Sequence, residues 1–258
     1  ESVYLQAAGS MAMGPIVDEL ARGFREQDPW IHVQVLGLEP TGGLGTSYGL
    51  EAMRSGEVDL ALASWLPRVD DRDASGGLML DPNWHTAAIA RDGLAIIVHP
   101  DNSLEGLGLL QLRDLFSGRI AEWRALKGGS TRGLVVPVSR EAGSGTRVAF
   151  EALVMEDLSV SPRALVAPSG GAVLDYVAEN PQAIGYVSMG EVKPGVKVLK
   201  VEGELPTGDA VGQGIYALSR ELWLVTVGPP SAPLEDFVGY SLSPAGQQIV
   251  ERYVGRIR

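Results

Sequence analysis

The sequence predicts an α/β fold, in which short buried strands alternate with amphipathic helices along nearly the whole chain. Three observations lead to this prediction. Apolar runs such as Val3–Ala7 and Leu94–Val98 have the length of a strand and no helical period. The segment from Met13 to Phe24 instead repeats apolar residues at the spacing of one helix face. Finally, 33 glycines and 16 prolines supply the turns that such an alternation needs.

The same signals place the elements in order along the chain. Pro29 ends the first helix, Gly56 the second and Gly118 the third, because proline and glycine interrupt a helix. The predicted strands are Val3–Ala7, Ile31–Leu36, Val58–Ala63, Leu94–Val98, Leu134–Val138, Ile184–Ser188, Val196–Val201, Gly214–Leu218 and Leu222–Val227. Besides the helix over Met13–Phe24, the predicted helices are a short one with Leu50 and Met53, then Leu110–Phe116, Gly143–Met155, Ala172–Glu179, Leu234–Val238 and Ala245–Tyr253.

Composition excludes several classes of function. The chain has 258 residues, a net charge of −11 and no run of basic residues, which argues against a nucleic-acid-binding protein. It has no cysteine, so disulfides, cysteine-zinc sites and thiol chemistry are excluded. No apolar run approaches the roughly 20 residues that span a membrane. No signal peptide is visible, so we expect an exported protein to be present here in its mature form.

Three segments share one design, a strand followed by a loop with glycine and hydroxyl side chains and then a helix. They are Gly9-Ser10-Met11, Gly45-Thr46-Ser47 and Gly143-Ser144-Gly145-Thr146. Helix starts offer unpaired N–H groups and a partial positive charge, so they can bind anions. One such loop alone is better explained as an ordinary helix cap. Three in one chain favour a binding site for an oxyanion.

Arg140 and Ser64 follow predicted strands. Arg140 lies three residues before the third loop, and its guanidinium can bind an oxyanion through two parallel hydrogen bonds. The alternative is a surface arginine paired with Glu141. Ser64 ends the third strand, where a ligand-facing residue is expected in an open α/β sheet. Judged alone, it is better explained as a residue of a turn.

Enzyme and metal motifs are poorly matched. Gly42–Ser47 lacks the Gly-Lys-Ser/Thr ending of a P-loop, and Asp70–Asp73 lacks the glycine and final glutamate of a calcium loop. A hydrolase that uses Ser144 or Ser10 with His85 as base remains an alternative, although no motif brings them together. We therefore predict a binding protein without enzymatic activity, metal or cofactor.

The run Ser139–Arg147, Ser-Arg-Glu-Ala-Gly-Ser-Gly-Thr-Arg, resembles the phosphate-binding proteins of phosphate ABC importers, a branch of the type II periplasmic-binding-protein fold. Further stretches of the resemblance are Asp92–Val98, Phe116–Ile120 with Trp123, and Ala183–Ser188. It implies two discontinuous α/β lobes around a central cleft. We place lobe one at 1–91 and 214–258, and lobe two at 92–213.

The resemblance also implies a function. The chain would be an extracytoplasmic solute-binding protein that captures inorganic phosphate in the cleft and delivers it to the membrane permease of an ABC importer. It would be a monomer at the periplasmic or extracellular face of the membrane, with a lipid-anchored precursor as an option. The alternative ligands are other tetrahedral oxyanions, namely sulfate, molybdate or tungstate.

The resemblance assigns the ligand donors residue by residue. It implies the following set: Ser10, the Met11 backbone, Thr46, Ser64, Arg140, Ser144, Gly145 and Thr146. Two departures from the family pattern stand out. Some members have an aspartate near the Ser64 position, which accepts a hydrogen bond from protonated phosphate, whereas this chain has Ser64-Trp65. Others have an aspartate two residues after the motif arginine, where this chain has Ala142. The first departure predicts weaker discrimination against fully ionised anions such as sulfate.

Overall fold

The computed structural model describes residues 2–37, 45–67, 80–129 and 133–257, which form ten strands and eight α-helices. The strands are β1 (Val3–Gly9), β2 (Ile31–Val35), β3 (Leu60–Ala63), β4 (Trp84–Val98), β5 (Gly106–Leu107), β6 (Val136–Arg140), β7 (Leu165–Ala167), β8 (Ala183–Ser188), β9 (Lys197–Val201) and β10 (Ser219–Val227). The α-helices are α1 (Gly14–Gln27), α2 (Thr46–Ser55), α3 (Leu109–Ser117), α4 (Gly145–Phe150), α5 (Gly170–Glu179), α6 (Gly208–Gly212), α7 (Ala232–Leu242) and α8 (Pro244–Val250). A π-helix, Glu151–Met155, continues α4. None of these helices combines the length and the apolar character needed to cross a membrane.

The chain divides into two compact units. The first comprises Glu1–Arg91, Gly143–Gly145 and Arg220–Arg258, and the second comprises Asp92–Ala142 and Thr146–Ser219. Residues 143–145 thus belong to the first unit and residues 214–219 to the second, whereas the sequence analysis assigns them the other way round. The lobe limits given there remain a prediction.

The first unit is built on strands in the order β2-β1-β3-β10. β1 runs parallel to β2 and β3, and β10 runs antiparallel to β3. Helix α1 packs against β2 and buries its apolar face, which includes Ile16, Leu20 and Phe24. It ends at Gln27 because Pro29 disfavours a helical conformation of Asp28. The parallel strands β1 and β3 are each followed by a loop that carries candidate site residues.

The second unit places β6 between β7 and β8, with all three strands parallel, and β8 pairs antiparallel with β4. Its core contains the fully buried side chains of Phe116, Trp123, Phe150 and Tyr186. The rings of Phe150 and Tyr186 stack with their centroids 4.0 Å apart and their planes 3° from parallel. This stack attaches α4 firmly to β8. Arg140 ends β6, the strand that pairs with β8.

The predicted strand at Gly214–Leu218 is wrong. Gly214 has a φ of +71°, and the N–H groups of Ile215 and Tyr216 both donate to the carbonyl of Ala210. These bonds close α6 and turn the chain, so the apolar residues are not extended. The Tyr216 hydroxyl is buried and donates to the carbonyl oxygen of Leu94 over 2.8 Å. The apolar pattern of this segment therefore reflects a buried turn.

Several other elements differ from the prediction in their bounds, among them β6 and β4. The predicted strand Leu134–Val138 is observed as β6, two residues later, so Ser139 and Arg140 belong to the strand itself. The predicted strand Leu94–Val98 is the end of β4, which begins ten residues earlier at Trp84. Mixed polar and apolar residues such as His85 and Thr86 conceal this first part of β4. Strand pairing and not hydrophobicity sets both starting points.

The packing of α2 against β1 can be tested at Gly49, with Gly239 in α7 as the control. A Cβ at Gly49 would overlap the carbonyl oxygen of Ala8 and lie 2.6 Å from the Cα of Gly9, because α2 crosses β1 closely. At Gly239 in α7, a Cβ would meet nothing within 4 Å. We expect Gly239→Ala to raise the free energy of unfolding by up to about 1 kcal/mol. Gly49→Ala should lower it by about 1–3 kcal/mol through overpacking. Urea and thermal unfolding measure both changes, and an equal stabilisation by both variants would contradict the close crossing.

Candidate functional site

Thr46 and Ser64 form a buried hydroxyl pair, which joins the start of α2 to the end of β3. The backbone N–H of Ser64 donates to Thr46 Oγ1 over 3.1 Å, and the two hydroxyl oxygens also lie 3.1 Å apart. Each hydroxyl has one proton and can donate or accept. The bond between them uses one of these protons. The hydroxyl pair therefore has one proton left for a third group.

Gly145, the first residue of α4, lies directly against the hydroxyl pair. A Cβ at this position would overlap Ser64 Oγ and lie 2.8 Å from Thr46 Oγ1. The opposite side of the contact is equally close, since a Cβ at Gly45 would lie 2.5 Å from the carbonyl oxygen of Gly143. Side chains at either glycine would force the two loops apart. Glycine is thus required at both positions for the backbones to meet.

Ser10 lies at the same end of the first unit's sheet. Its N–H donates to the carbonyl of Leu62 over 2.8 Å, and its own carbonyl accepts the N–H of Met13 over 3.0 Å. Gly9, with a φ of +143°, makes this turn, and a Cβ there would overlap the Leu62 carbonyl oxygen. Ser10 is buried and Met11 is half-buried. Both residues lie in the loop that leads from β1 into α1, as the sequence predicts.

Arg140 is the last residue of β6 in the second unit, and its side chain is only 4% exposed. Its Nε and Nη2 donate to the two carboxylate oxygens of Glu141 over 2.8 and 2.9 Å. The pairing with Glu141 that the sequence offers as an alternative is therefore present, but the guanidinium is buried and not at the surface. Because a guanidinium has five N–H donors, this pair leaves others that can reach an anion. The role of Arg140 as a ligand donor stays a prediction.

The motif that contains Arg140 contributes to both units. Ser144 and Gly145 belong to the first unit, whereas Arg140 and Thr146 belong to the second. Ser144 and Thr146 are both buried, and Thr146 is the second residue of α4. Within the first unit, the structure brings Gly145 into contact with the hydroxyl pair.

Three contacts near these residues were not anticipated from the sequence. The indole N–H of Trp65 is buried and has no hydrogen-bond partner among the residues that the structure describes. It adjoins the hydroxyl pair, since Trp65 Cδ1 lies 3.0 Å from the position of a Cβ on Gly145. In the second unit, Tyr186 and Arg147 hold the backbone of Arg140. Trp65 follows the end of β3 and Tyr186 lies in the apolar strand β8, where a large aromatic residue normally indicates packing, so the sequence carries no signal for these contacts.

The described residues offer little to a hydrolase or a metal. His85 is exposed on β4 and makes no hydrogen bond to Ser10 or Ser144 within this part of the chain. No group of three or more histidine, aspartate or glutamate side chains in the same residues could hold a metal ion. The candidate residues of the first unit offer neutral hydroxyl and amide donors, and in the second unit Arg140 offers a guanidinium. Each of these kinds of donor can bind an oxyanion.

Comparison with known proteins gives similarities along most of the chain. A family model described as a PBP superfamily domain matches residues 1–245. The phosphate-binding protein PstS 2 of Streptococcus agalactiae is 38% identical over 133 residues, which are 48% of this chain and 45% of that protein. The chain therefore spans about half the length of the first curated relatives that it matches. The phosphate-binding protein PstS of Bacillus subtilis is 27% identical over 238 residues, 92% of this chain and 74% of the relative.

Solved structures resemble the whole chain. A putative phosphate ABC transporter substrate-binding protein from Clostridium perfringens, with bound phosphate, has a TM-score of 0.84 and 27% identity, and the match covers 99% of this chain and 100% of that one. An ABC-type phosphate transport receptor from Vibrio cholerae has a TM-score of 0.77 and 29% identity, with 98% and 99% covered. The likeness thus includes both units.

The contact between Gly145 and the hydroxyl pair can be tested without any ligand. We expect Gly145→Ala to lower the free energy of unfolding by about 1–3 kcal/mol, because its methyl group would overlap Ser64 Oγ. Gly171→Ala is the control, since a Cβ there would make an ordinary contact of 3.7 Å with Ser169 Oγ. This control should be neutral or stabilise the protein by up to about 1 kcal/mol. If urea unfolding gives the same result for both variants, the close contact of Gly145 is incorrect.

Proposed function

Because the chain belongs to the PBP superfamily, we propose that it is an extracytoplasmic solute-binding protein that captures inorganic phosphate for the permease of an ABC importer. The α/β fold of periplasmic binding proteins, predicted from the sequence, is confirmed by the family match and the solved structures. The curated relatives are named as phosphate-binding proteins, and one of the solved structures contains phosphate. We propose no catalysis, and turnover of phosphomonoester or ester substrates would contradict this.

The proposal rests on one observation. Thr46, Ser64 and Gly145 are in contact in a buried part of the first unit. Three chain segments that are distant in sequence bring polar groups together there. A buried polar group costs free energy unless it finds a partner, so such a group of donors is stable when an acceptor is bound. An oxyanion supplies several acceptor atoms at once.

The remaining candidate donors extend this arrangement. The proposed ligand residues are Ser10, the Met11 backbone, Thr46, Ser64, Arg140, Ser144, Gly145 and Thr146. Arg140 supplies positive charge, and the buried indole N–H of Trp65 is a further donor beside the hydroxyl pair. The net charge of −11 does not prevent anion binding, because surface charges are screened over roughly 8–10 Å whereas hydrogen bonds act at contact.

Capture would follow from differential binding. An anion stabilises the conformation of the protein that binds it more tightly, because that conformation offers it more hydrogen bonds. The permease would recognise this liganded conformation. The protein would act at the periplasmic or extracellular face of the membrane, where such a permease receives its solute.

The ligand class includes one alternative, a fully ionised tetrahedral oxyanion such as sulfate, molybdate or tungstate. The observation behind it is the hydroxyl pair. A carboxylate only accepts hydrogen bonds and repels a fully ionised anion, whereas a hydroxyl can donate to it. Thr46 and Ser64 are both neutral and bond to each other, so the hydroxyl pair has no negative charge of its own. We therefore expect weak discrimination between phosphate and sulfate.

The role of Arg140 is tested by Arg140→Ala. Loss of hydrogen bonds to a charged ligand should weaken phosphate binding by about a hundredfold in calorimetry. The unfolding free energy should fall as well, because Arg140 is buried against Glu141, so a circular dichroism spectrum must first show that the variant is folded. Arg124→Ala, which removes one charge at a side chain that is 79% exposed, is the control and should bind normally. Unchanged affinity in the Arg140 variant would remove this residue from the site.

The lack of negative charge at the hydroxyl pair is tested by Ser64→Asp, with Ser64→Asn as a control of equal size. Calorimetry against phosphate and sulfate should show that the introduced carboxylate lowers sulfate affinity by about a hundredfold or more relative to the asparagine variant, through like-charge repulsion. Phosphate affinity should fall less, because a protonated phosphate can donate to the carboxylate. The same ratio of phosphate to sulfate affinity in both variants would contradict a position facing the ligand.

A further inference from the structure

The backbone of Arg140 is held by two side chains from outside its own strand. Nη1 of Arg147 donates to the carbonyl oxygen of Arg140 over 3.0 Å. The N–H of Arg140 donates to the Tyr186 hydroxyl over a longer distance of 3.4 Å. All three residues belong to the second unit. Both polar groups of this peptide backbone are therefore bonded to side chains.

This arrangement replaces pairing with β8 at the end of β6, whereas pairing with β7 continues to Arg140. The register between β6 and β8 covers Val136 to Val138 and stops two residues before Arg140. Beyond that point, a buried backbone group still needs a hydrogen-bond partner. Tyr186 and Arg147 supply these partners from β8 and α4. They thus hold the backbone of Arg140 on the side where the pairing with β8 has stopped.

Both side chains are themselves fixed. The Tyr186 ring is stacked on Phe150, and its hydroxyl forms a hydrogen bond of 2.8 Å with Ser139 Oγ. Burial raises the pKa of Tyr186 to about 12, so the hydroxyl keeps its proton at neutral pH. Arg147 Nε donates to Glu151 Oε1 over 2.8 Å, and this hydrogen bond raises the pKa of Arg147 further above its ordinary value.

We propose that Arg147 and Tyr186 are positioning residues, which fix the direction in which the guanidinium of Arg140 leaves β6. They act through Arg140 and do not touch the anion. The inference rests on the proposed function, because it assumes that Arg140 binds the ligand. A binding group must be held within about 0.5 Å of its productive geometry, so loosening the backbone of Arg140 should weaken binding although every ligand contact is retained.

The variants Arg147→Met and Tyr186→Phe each remove one of these bonds and preserve side-chain volume. We expect each to weaken phosphate binding about tenfold or more, the usual effect of losing a residue that orients a ligand group. The matched control is Arg113→Met. Arg113 also donates to a backbone carbonyl, that of Val154 at 2.7 Å, and also pairs with a glutamate, but it does not hold Arg140. Phosphate affinity should stay within about twofold in this control, although the same charge is lost.

A double-mutant cycle separates positioning from other effects. In an Arg140→Ala background, Arg147→Met and Tyr186→Phe should cause no further loss of the residual affinity, measured by phosphorus NMR titration with inorganic phosphate. The same loss in both backgrounds would overturn the inference, because the residues would then act on the anion directly or on the fold as a whole.

The cycle also distinguishes failure of this inference from failure of the proposed function. If the unmodified protein does not bind phosphate, the proposed function is wrong, and if Arg140→Ala alone binds phosphate like the unmodified protein, Arg140 lies outside the site. If Arg140→Ala loses affinity but Arg147→Met and Tyr186→Phe do not, only the positioning role is wrong.

Discussion

The contact between Gly145 and the hydroxyl pair is the constraint on which the candidate site depends. It needs two glycines, because a Cβ at Gly145 or at Gly45 would occupy space that the opposite loop already fills. The backbones of the two loops are consequently in direct contact. The polar groups available there are backbone N–H groups and the hydroxyls of Thr46 and Ser64. Neutral donors of this kind can bind an anion without adding charge of their own. The selectivity of such a group of donors therefore depends on complete hydrogen bonding.

Arg140 gives the second unit a buried positive charge, and it does so at a cost. A buried ion pair gains little net stability, because desolvation of both charges offsets their attraction. The pair with Glu141 is therefore better understood as a means of holding the guanidinium in one orientation. Arg147 and Glu151, which lie one helical turn apart, form a second and more exposed ion pair. Arg140 and Arg147 are thus each paired with a neighbouring carboxylate.

Much of this organisation could be predicted from the sequence. Strands such as β1 and β8 and the amphipathic helix α1 follow from local patterns of apolar residues, and all three appear where expected. The prediction of secondary structure failed where one local residue pattern is compatible with two different structures. Gly214–Leu218 has the apolar residues of a strand, but a glycine with positive φ and a shared carbonyl turn the chain. The first part of β4 was missed because pairing with other strands outweighs its mixed polarity.

The sequence by itself determined the donor chemistry, since glycine, serine and threonine at helix starts and an arginine at a strand end are properties of short segments. Only the tertiary structure decided which of these groups meet. Thr46 bonds to Ser64 across 18 residues of sequence, and Arg140 bonds to Tyr186 across 46. Such partners are chosen by the packing of strands and helices and not by local preference, because a buried polar group bonds to whatever acceptor or donor the fold places beside it.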